Sequence, residues 1–264
     1  MKQLFFLGVG TIASALRNAL PELPAAGTTR SPPDARFSSI APIPTDDTRA
    51  IEAAARGAHI LVSFPPDGQC DRELSALVAG AASIVYLSST AVYPDQAGTV
   101  NETSDVRANG ERALSRLAAE ALWIARGASV VRLPAFYGPT TGLHLSISRR
   151  TFRMPGEGRN IVSRVHVADA ARFVRAAWSA PPRSLLLAGD DEPASVAEVV
   201  AFVCDLFSLP PPETSEGADI ALSLRASRRV DNRVTKSSFS IQLEFPSYRE
   251  GYRAIYETRA ETPR

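Results

Sequence analysis

A glycine-rich turn near the start of the chain has the residue types and spacing of a phosphate-binding loop. The apolar run at residues 4–7 is followed by Gly8, Gly10 and Ala13 in the pattern G-x-G-x-x-A. In such a turn the first glycine permits a sharp bend, the second lets a pyrophosphate approach the backbone, and the small third residue lets helix and strand pack closely. The helix start then offers unpaired amides to the phosphates. The motif predicts dinucleotide binding by Gly8, Gly10, Thr11, Ile12 and Ala13, with a plain strand-to-helix turn as the alternative.

The end of the second predicted strand indicates which dinucleotide is bound. NAD-binding proteins carry an acidic residue here for the ribose hydroxyls, but this sequence reads Thr29-Arg30-Ser31. A guanidinium flanked by hydroxyls suits the 2′-phosphate of NADP, because arginine offers a planar set of donors to phosphate oxygens. We therefore predict NADP, with NAD possible if Arg30 is only a solvated loop residue stacked on adenine.

A run of hydroxyl-bearing residues follows the fifth predicted strand. It reads Ser88-Ser89-Thr90 and continues through Val92 to Tyr93. Open α/β sheets bind ligands at the carboxyl ends of their strands, so these hydroxyls are candidates for the reacting centre. The alternative is that they end the strand and satisfy backbone groups.

Three segments together resemble extended short-chain dehydrogenases/reductases of the nucleotide-sugar epimerase and dehydratase branch. They are the S-S-x-x-V-Y segment at residues 88–93, the R-x-x-x-x-Y-G-P segment at 132–139 and the R-x-H-V-x-D segment at 164–169. The resemblance implies a Rossmann-type sheet, bound NAD(P) and a separate substrate lobe. It carries the hydrogen bond to the reacting oxygen onto Ser89, with Thr90 as the neighbouring alternative, and it puts the turn at residues 136–139 beside the nicotinamide. The predicted cofactor set also includes Phe64, Pro65, Ser88, Pro134 and Phe136.

The sequence departs from that family at its proton relay. Members use Y-x-x-x-K on the helix after the serine segment, whereas Arg112 and Arg116 stand at these two positions here. Arginine stays protonated at physiological pH and therefore binds charge without transferring a proton. The pair predicts either binding of an acidic substrate group or a solvated basic helix face. Tyr93, Tyr137 or a water would have to supply the proton, unless both phenols only pack.

The elements that must position these residues alternate along the chain as strand and helix, which predicts a doubly wound parallel sheet. Period-two and buried apolar runs predict strands at residues 3–7, 25–29, 39–43, 59–63, 83–87, 129–133 and 184–188. Helical periodicity predicts helices at residues 12–20, 48–56, 72–80, 110–126 and 167–178, a helix capped by Ser195 and another beginning near Ser247. We assign residues 1–142 and 164–190 to a Rossmann core, and residues 143–163 and 191–264 to a small, partly helical substrate lobe.

Composition excludes several functional classes. The chain of 264 residues is 45% hydrophobic and 22% charged with a formal net charge of +1, which is typical of a globular protein and leaves no electrostatic footprint for nucleic acid or an anionic membrane. No cysteine or histidine spacing suggests a metal, and no export signal or membrane span is read, so we predict a cytoplasmic monomer or homodimer with a small-molecule substrate.

Three functions fit these observations. The first is an NADP-dependent oxidoreductase or epimerase-like enzyme acting on a small carbonyl, imine or sugar-type substrate with a non-standard proton donor. The second is a non-catalytic NADP-binding sensor or scaffold, which the missing tyrosine favours. The third is a redox-neutral enzyme that keeps the cofactor.

Overall fold

The computed structural model describes residues 3–30, 38–107, 110–215 and 226–260. We number the helices and strands of these ranges in chain order. The first are β1 (Leu4–Leu7), α1 (Thr11–Ala19), β2 (Ala25–Thr29), β3 (Ala41–Pro44), α2 (Thr48–Ala55), β4 (His59–Val62), α3 (Gly68–Leu77) and β5 (Ser83–Ser89), which continues into a 3₁₀ turn, Thr90–Val92. The next are β6 (Gly98–Val100), α4 (Glu111–Ala125), β7 (Ser129–Leu133), β8 (Ala135–Tyr137), α5 (Leu143–Ser148), β9 (Met154–Pro155), β10 (Ile161–Val162), β11 (Arg164–His166) and α6 (Val167–Ser179). The last are β12 (Leu185–Leu187), β13 (Ala194–Ser195), α7 (Val196–Phe207), β14 (Thr214–Ser215), β15 (Arg228–Val230), α8 (Arg233–Ser238) and α9 (Tyr248–Ala260).

A seven-stranded sheet in the order β12-β7-β5-β4-β1-β2-β3 is the centre of the fold. The pairings β3–β2, β2–β1, β1–β4 and β4–β5 are parallel. Every side chain of β1 is buried, as expected for a strand covered on both faces by helices. All seven predicted strands belong to this sheet, so the predicted Rossmann-type α/β fold is confirmed. The strand order changes direction between β1 and β4, and such a switch point opens a crevice for ligands.

The chain divides into two compact units by its internal contacts. The first unit comprises Met1–Val92, Ala108–Arg132 and Ala171–Leu186, and the second comprises Tyr93–Arg107, Leu133–Ala170 and Leu187–Arg264. The first has a core of strand side chains packed against the helices, including Trp123, whose indole Nε1 donates to the buried Asp71 carboxylate at 2.7 Å. At its surface Asp47 caps α2 by accepting from the Ala50 amide.

The second unit is built on α7 and α9 and on several very short strands. Ser195 caps α7 as predicted, and its hydroxyl and the Glu198 carboxylate form a reciprocal capping box. The apolar face of α7 packs with Tyr248 and Tyr252 of α9 in one cluster. The predicted helix near Ser247 is therefore α9.

Asp169 connects two distant segments of the second unit. Its two carboxylate oxygens accept from the Glu244 amide at 2.7 Å and the Phe245 amide at 2.9 Å. The carboxylate thus holds a loop 75 residues away in sequence against the start of α6. His166, three residues before Asp169, packs against the Tyr137 and Phe245 rings.

Candidate functional site

A cleft of about 880 Å³ lies in the first unit where β1, β2 and β4 end. Parallel sheets of this order bind ligands at their carboxyl edge. Of the predicted cofactor residues, those that line this cleft are Gly8, Gly10, Thr29, Arg30, Phe64 and Pro65. Ser31 lies outside the described residues.

Gly8 and Gly10 have different structural roles in the turn after β1. Gly8 has a φ of +87°, and a Cβ atom there would lie 3.0 Å from the Phe64 backbone nitrogen. Gly10 has an extended backbone with φ −140°, and a Cβ atom there would meet no atom of the described residues within 4 Å. Gly8 is therefore required by the fold, whereas the face of Gly10 is open to an approaching ligand.

The start of α1 leaves its backbone amides available. Its N-cap residue Gly10 provides no side-chain cap, and the first turn carries no acidic residue. Ile12 and Ala13 are buried against the sheet, so it is their amides, with that of Thr11, that can serve an anion. An uncapped helix start of this kind favours phosphate binding through its amides and its dipole.

Two hydroxyl side chains that sequence reasoning missed hold the turn in place. The Gly8 amide donates to Thr28 Oγ1 at 2.9 Å, and Ser63 Oγ donates to the Gly8 carbonyl at 2.8 Å. Both come from neighbouring strands, Thr28 from β2 and Ser63 from the end of β4. A further missed residue is Gly27, where a Cβ atom would collide with the Val9 side chain. The sequence does show a threonine near the end of β2 and a serine directly after β4. Which backbone groups these hydroxyls bond depends on the order of the strands in the sheet.

Arg30 is exposed at the end of β2 and lines the cleft together with Asp46 and Glu73. It is close enough to Cys70 to lower the pKa of that thiol, although burial and then the Asp67 carboxylate have the larger effect and raise it overall. Among the described residues, the cleft presents the Arg30 guanidinium and several carboxylates at the position that the sequence predicts to distinguish NADP from NAD.

The serine segment ends β5 in the first unit. Ser89 is half-buried, and its Oγ accepts from the Ala91 amide at 3.1 Å, so its O–H remains available as a donor. Thr90 is buried in the 3₁₀ turn. Ser88 faces the other way, because its hydroxyl donates to Glu120 in the interior.

Glu120 forms a buried pair with Arg132 behind this segment. The guanidinium donates from Nε to Oε1 at 3.0 Å and from Nη2 to Oε2 at 2.7 Å. Ser88 also donates to this carboxylate. The end of β5 is thus fixed from the side of α4.

The two arginines that stand at the tyrosine and lysine positions are arranged unequally. Arg112 is exposed, whereas Arg116 is half-buried and its Nη1 donates to the Leu87 carbonyl at 3.2 Å. Arg116 also lies near the Tyr86 phenol, whose pKa burial raises and this cation partly lowers. Arg116 therefore brings a positive charge to the end of β5, two residues from Ser89.

Tyr93 and Tyr137, the candidate proton donors, belong to the second unit and are both buried. The Tyr93 hydroxyl donates to the Asn101 carbonyl at 3.1 Å and the Tyr137 hydroxyl to the Ser247 carbonyl at 3.3 Å. Burial, and then Asp190, raise the pKa of Tyr137 above its ordinary value. These bonds favour the packing role that the sequence left open.

Two predicted cofactor residues also belong to the second unit. Pro134 is buried there, while Phe136 is exposed and lines a second cleft.

Residues 3–30, 38–107, 110–215 and 226–260 contain neither a metal-binding cluster nor a membrane-spanning helix. In these ranges no group of three or more His, Cys, Asp or Glu side chains is arranged to hold a metal ion. The same ranges contain no helix with the length and apolar character needed to cross a bilayer.

The sheet order and the glycine turn define a Rossmann-type protein, and the chain has the fold of the extended short-chain dehydrogenase/reductase superfamily, as the sequence resemblance predicted. No protein-family model and no curated protein matches the sequence. A functionally unknown conserved protein from Silicibacter pomeroyi DSS is 30% identical with a TM-score of 0.84, over 99% of this chain and 100% of that chain. The chain belongs to the same family as that protein.

Two other solved structures are more distant. MoeE5 in complex with UDP-glucuronic acid and NAD is 23% identical with a TM-score of 0.81, over 98% of this chain and 100% of that one. UDP-glucose 4-epimerase from Thermotoga maritima with UDP-glucose is 14% identical with a TM-score of 0.82, over 99% of both chains. At these identities the likeness establishes the fold alone.

Proposed function

We propose that this protein is an NADP-dependent oxidoreductase or epimerase-like enzyme that acts on a small carbonyl, imine or sugar-type substrate. The observation that carries the proposal is the start of α1, where Gly10 is open, no side chain caps the helix and the cleft continues to Arg30. These residues fit a dinucleotide, because helix amides suit its pyrophosphate and a guanidinium suits a 2′-phosphate. The NAD bound by MoeE5, a protein of the same fold, supports a nicotinamide cofactor.

In this proposal the chain's own residues position the reactants. The nicotinamide, when bound, supplies or accepts hydride. The Ser89 O–H donates to the reacting oxygen, and the charge of Arg116 at the end of β5 stabilises negative charge that develops there. The proton comes from Tyr93, Tyr137 or a water, because arginine cannot supply it.

Titration calorimetry with NADP⁺ and NAD⁺ tests the cofactor assignment. The wild type is expected to bind NADP⁺ more tightly, and Arg30→Ala should weaken NADP⁺ binding by about tenfold or more while leaving NAD⁺ binding little changed. Arg56→Ala is the matched control, since Arg56 is exposed and does not line the cleft. If Arg30→Ala weakened the binding of both cofactors equally, or of neither, Arg30 would not determine the preference for NADP⁺.

Consumption of NADPH over a panel of carbonyl, imine and sugar substrates tests the activity. Ser89→Ala should lower kcat on any active substrate, because the donor to the reacting oxygen is lost. Tyr93→Phe should do so only if that phenol supplies the proton.

We further propose that residues 1–142 and 164–190 form the cofactor core and residues 143–163 and 191–264 the substrate lobe, in a cytoplasmic monomer or homodimer.

A non-catalytic NADP sensor or scaffold is the second candidate. It is favoured by the hydrogen bonds that both candidate phenols make to backbone carbonyls, together with the arginine at the tyrosine position. Tight NADP⁺ binding with no turnover across the panel would support this function over the first.

A further inference from the structure

The second unit contains a cleft of its own, about 340 Å³ in volume. That volume is at the lower end of the range for small-molecule sites and less than half that of the cleft in the first unit. Its floor is formed by the buried side chains of Tyr137, Arg164 and Tyr252, and Arg149 is exposed at its rim. The floor and rim thus bring two guanidiniums and two phenols to one small cavity.

Arg164 is buried, with 5% of its surface exposed, and its charge has no close counter-ion in the described part of the chain. Within the described residues its side chain donates twice from Nη1, to the Val162 carbonyl at 2.7 Å and the Ala194 carbonyl at 3.4 Å. Burial lowers the pKa of Arg164, but arginine remains protonated. A buried cation of this kind is costly unless it is paired.

Asp190 is the carboxyl group that raises the pKa of Arg164, after the larger effects of burial and of Tyr252, and it is a poor counter-ion. It is 2% exposed and forms no ion pair with Arg164 within 4.0 Å among the described residues. Burial raises the pKa of Asp190 well above its ordinary value, which favours the neutral acid. Arg164 lines the cleft, and no carboxylate of the described residues forms an ion pair with it there.

Tyr252 supplies a second donor beside Arg164. Its hydroxyl oxygen accepts from the Leu143 amide at 3.2 Å, which leaves its own O–H to donate. Burial raises the pKa of Tyr252 to about 12, while the Arg164 cation acts to lower it. The hydroxyl keeps its proton at neutral pH, and stacking on Tyr137 at 4.5 Å between centroids fixes the ring.

We propose that this cleft binds the phosphate or carboxylate group of a small molecule, with Arg164 and Tyr252 as donors at the floor and Arg149 at the rim. A guanidinium and a neutral O–H are donors that an oxyanion can engage together. That the molecule is the substrate of the enzyme rests on the proposed function, whereas the binding of the anion does not.

Titration calorimetry of the full chain with glucose 1-phosphate, glucuronate and glucose tests the proposal. One of the two acids is expected to bind more tightly than neutral glucose, and which of them does so distinguishes a phosphate from a carboxylate ligand. Arg149→Gln should weaken that binding by about two- to fivefold, and Tyr252→Phe or Arg164→Lys by at least about tenfold.

Arg150→Gln is the matched control, because Arg150 is also exposed but does not line the cleft. It should leave acid binding unchanged. Arg149→Gln keeps the test decisive even if Arg164→Lys fails to fold, since it alters an exposed side chain. The proposal is overturned if neither acid binds at millimolar concentration, if glucose binds equally well, or if Arg149→Gln and Arg150→Gln have the same effect. The affinity of the same variants for NADP⁺ should be unchanged. Loss of NADP⁺ binding in the wild type would therefore contradict the cofactor proposal without affecting the anion proposal.

Discussion

The buried pair Glu120–Arg132 is the residue-scale feature on which the end of β5 depends. Arg132→Met would leave the Glu120 carboxylate buried, with Ser88 as its one remaining side-chain donor in the described part of the chain. Removing one partner of a buried pair typically costs about 3–5 kcal/mol, whereas replacing both by apolar residues is often neutral. We expect urea unfolding to show a loss of this size for Arg132→Met and recovery of most of it in Glu120→Leu/Arg132→Met.

The exposed pair Arg153–Glu213 provides the control for this prediction. Its side chains are 55% and 79% exposed, and surface pairs contribute about 0.2–1 kcal/mol. Arg153→Met should therefore change the free energy of unfolding by less than about 1 kcal/mol. A similar loss for both variants would mean that burial of the Glu120–Arg132 pair is not what makes it important.

His166 links the stability of the fold to pH. Burial lowers its pKa to about 4 from the ordinary 6.5, so the folded state binds fewer protons than the unfolded state between these values. The stabilisation from the neutral ring is fully present above about pH 6.5 and is lost as the pH falls toward 4, by up to about 3 kcal/mol.

Urea unfolding at several pH values between 7.5 and 4.5 would measure this effect. His166→Gln should flatten the fall in stability with decreasing pH, whatever its cost at pH 7.5. His59, which is half-buried and also has a lowered pKa, offers His59→Gln as a comparison with a smaller flattening. Parallel pH profiles for wild type and His166→Gln would contradict the assignment.

At the scale of the element, α7 shows what its two caps contribute. Ser195 and Glu198 form the capping box at its start, and Ser208 ends it in a left-handed conformation with φ +52°. Ser195→Ala should destabilise the protein by about 1 kcal/mol because an N-terminal amide loses its acceptor. Ser208→Gly should stabilise it by up to about 1 kcal/mol, because glycine adopts positive φ without a Cβ penalty. Thermal unfolding of the two variants should shift the Tm in opposite directions.

The length of a helix or strand also decides whether it could be predicted from the sequence. The strands of the central sheet and helices α1 to α4 agree with the predictions to within a few residues, because each carries a buried apolar run or a helical period. Strands β9, β10, β13 and β14 have two residues each, too few for any period, and no prediction included them. The glycine turn was readable because its residues are adjacent in sequence.

Hydrogen bonds between segments that are distant in sequence could not be predicted. The hydroxyls of Thr28 and Ser63 reach Gly8 only because β2 and β4 flank β1. Asp169 lies in the first turn of α6, where an acidic residue usually acts locally. Its actual partners at residues 244 and 245 follow from the tertiary fold. Sequence patterns thus identify the groups that can bind, while strand order determines what holds them.

At the scale of the whole molecule, stability and cofactor binding should be separable at the two glycines of the turn. Gly8→Ala adds a Cβ atom at a positive φ and 3.0 Å from the Phe64 nitrogen, so it should destabilise the cofactor-free protein by about 1–3 kcal/mol. Gly10→Ala meets open space in an extended backbone, so its cost should stay below about 1 kcal/mol.

Gly10→Ala, the variant with the smaller loss of stability, should have the larger loss of stabilisation by NADP⁺. A ligand at 100 times its Kd stabilises the native state by about 2.7 kcal/mol, which corresponds to roughly 5 to 10 °C in Tm for a chain of this size. Because the Gly10→Ala methyl group would stand where the pyrophosphate approaches, a tenfold loss of affinity should reduce that shift to about half or less. If Gly10→Ala kept the full shift, the dinucleotide would have to bind away from this turn, and the argument from the uncapped start of α1 would fail even though the fold remained correct.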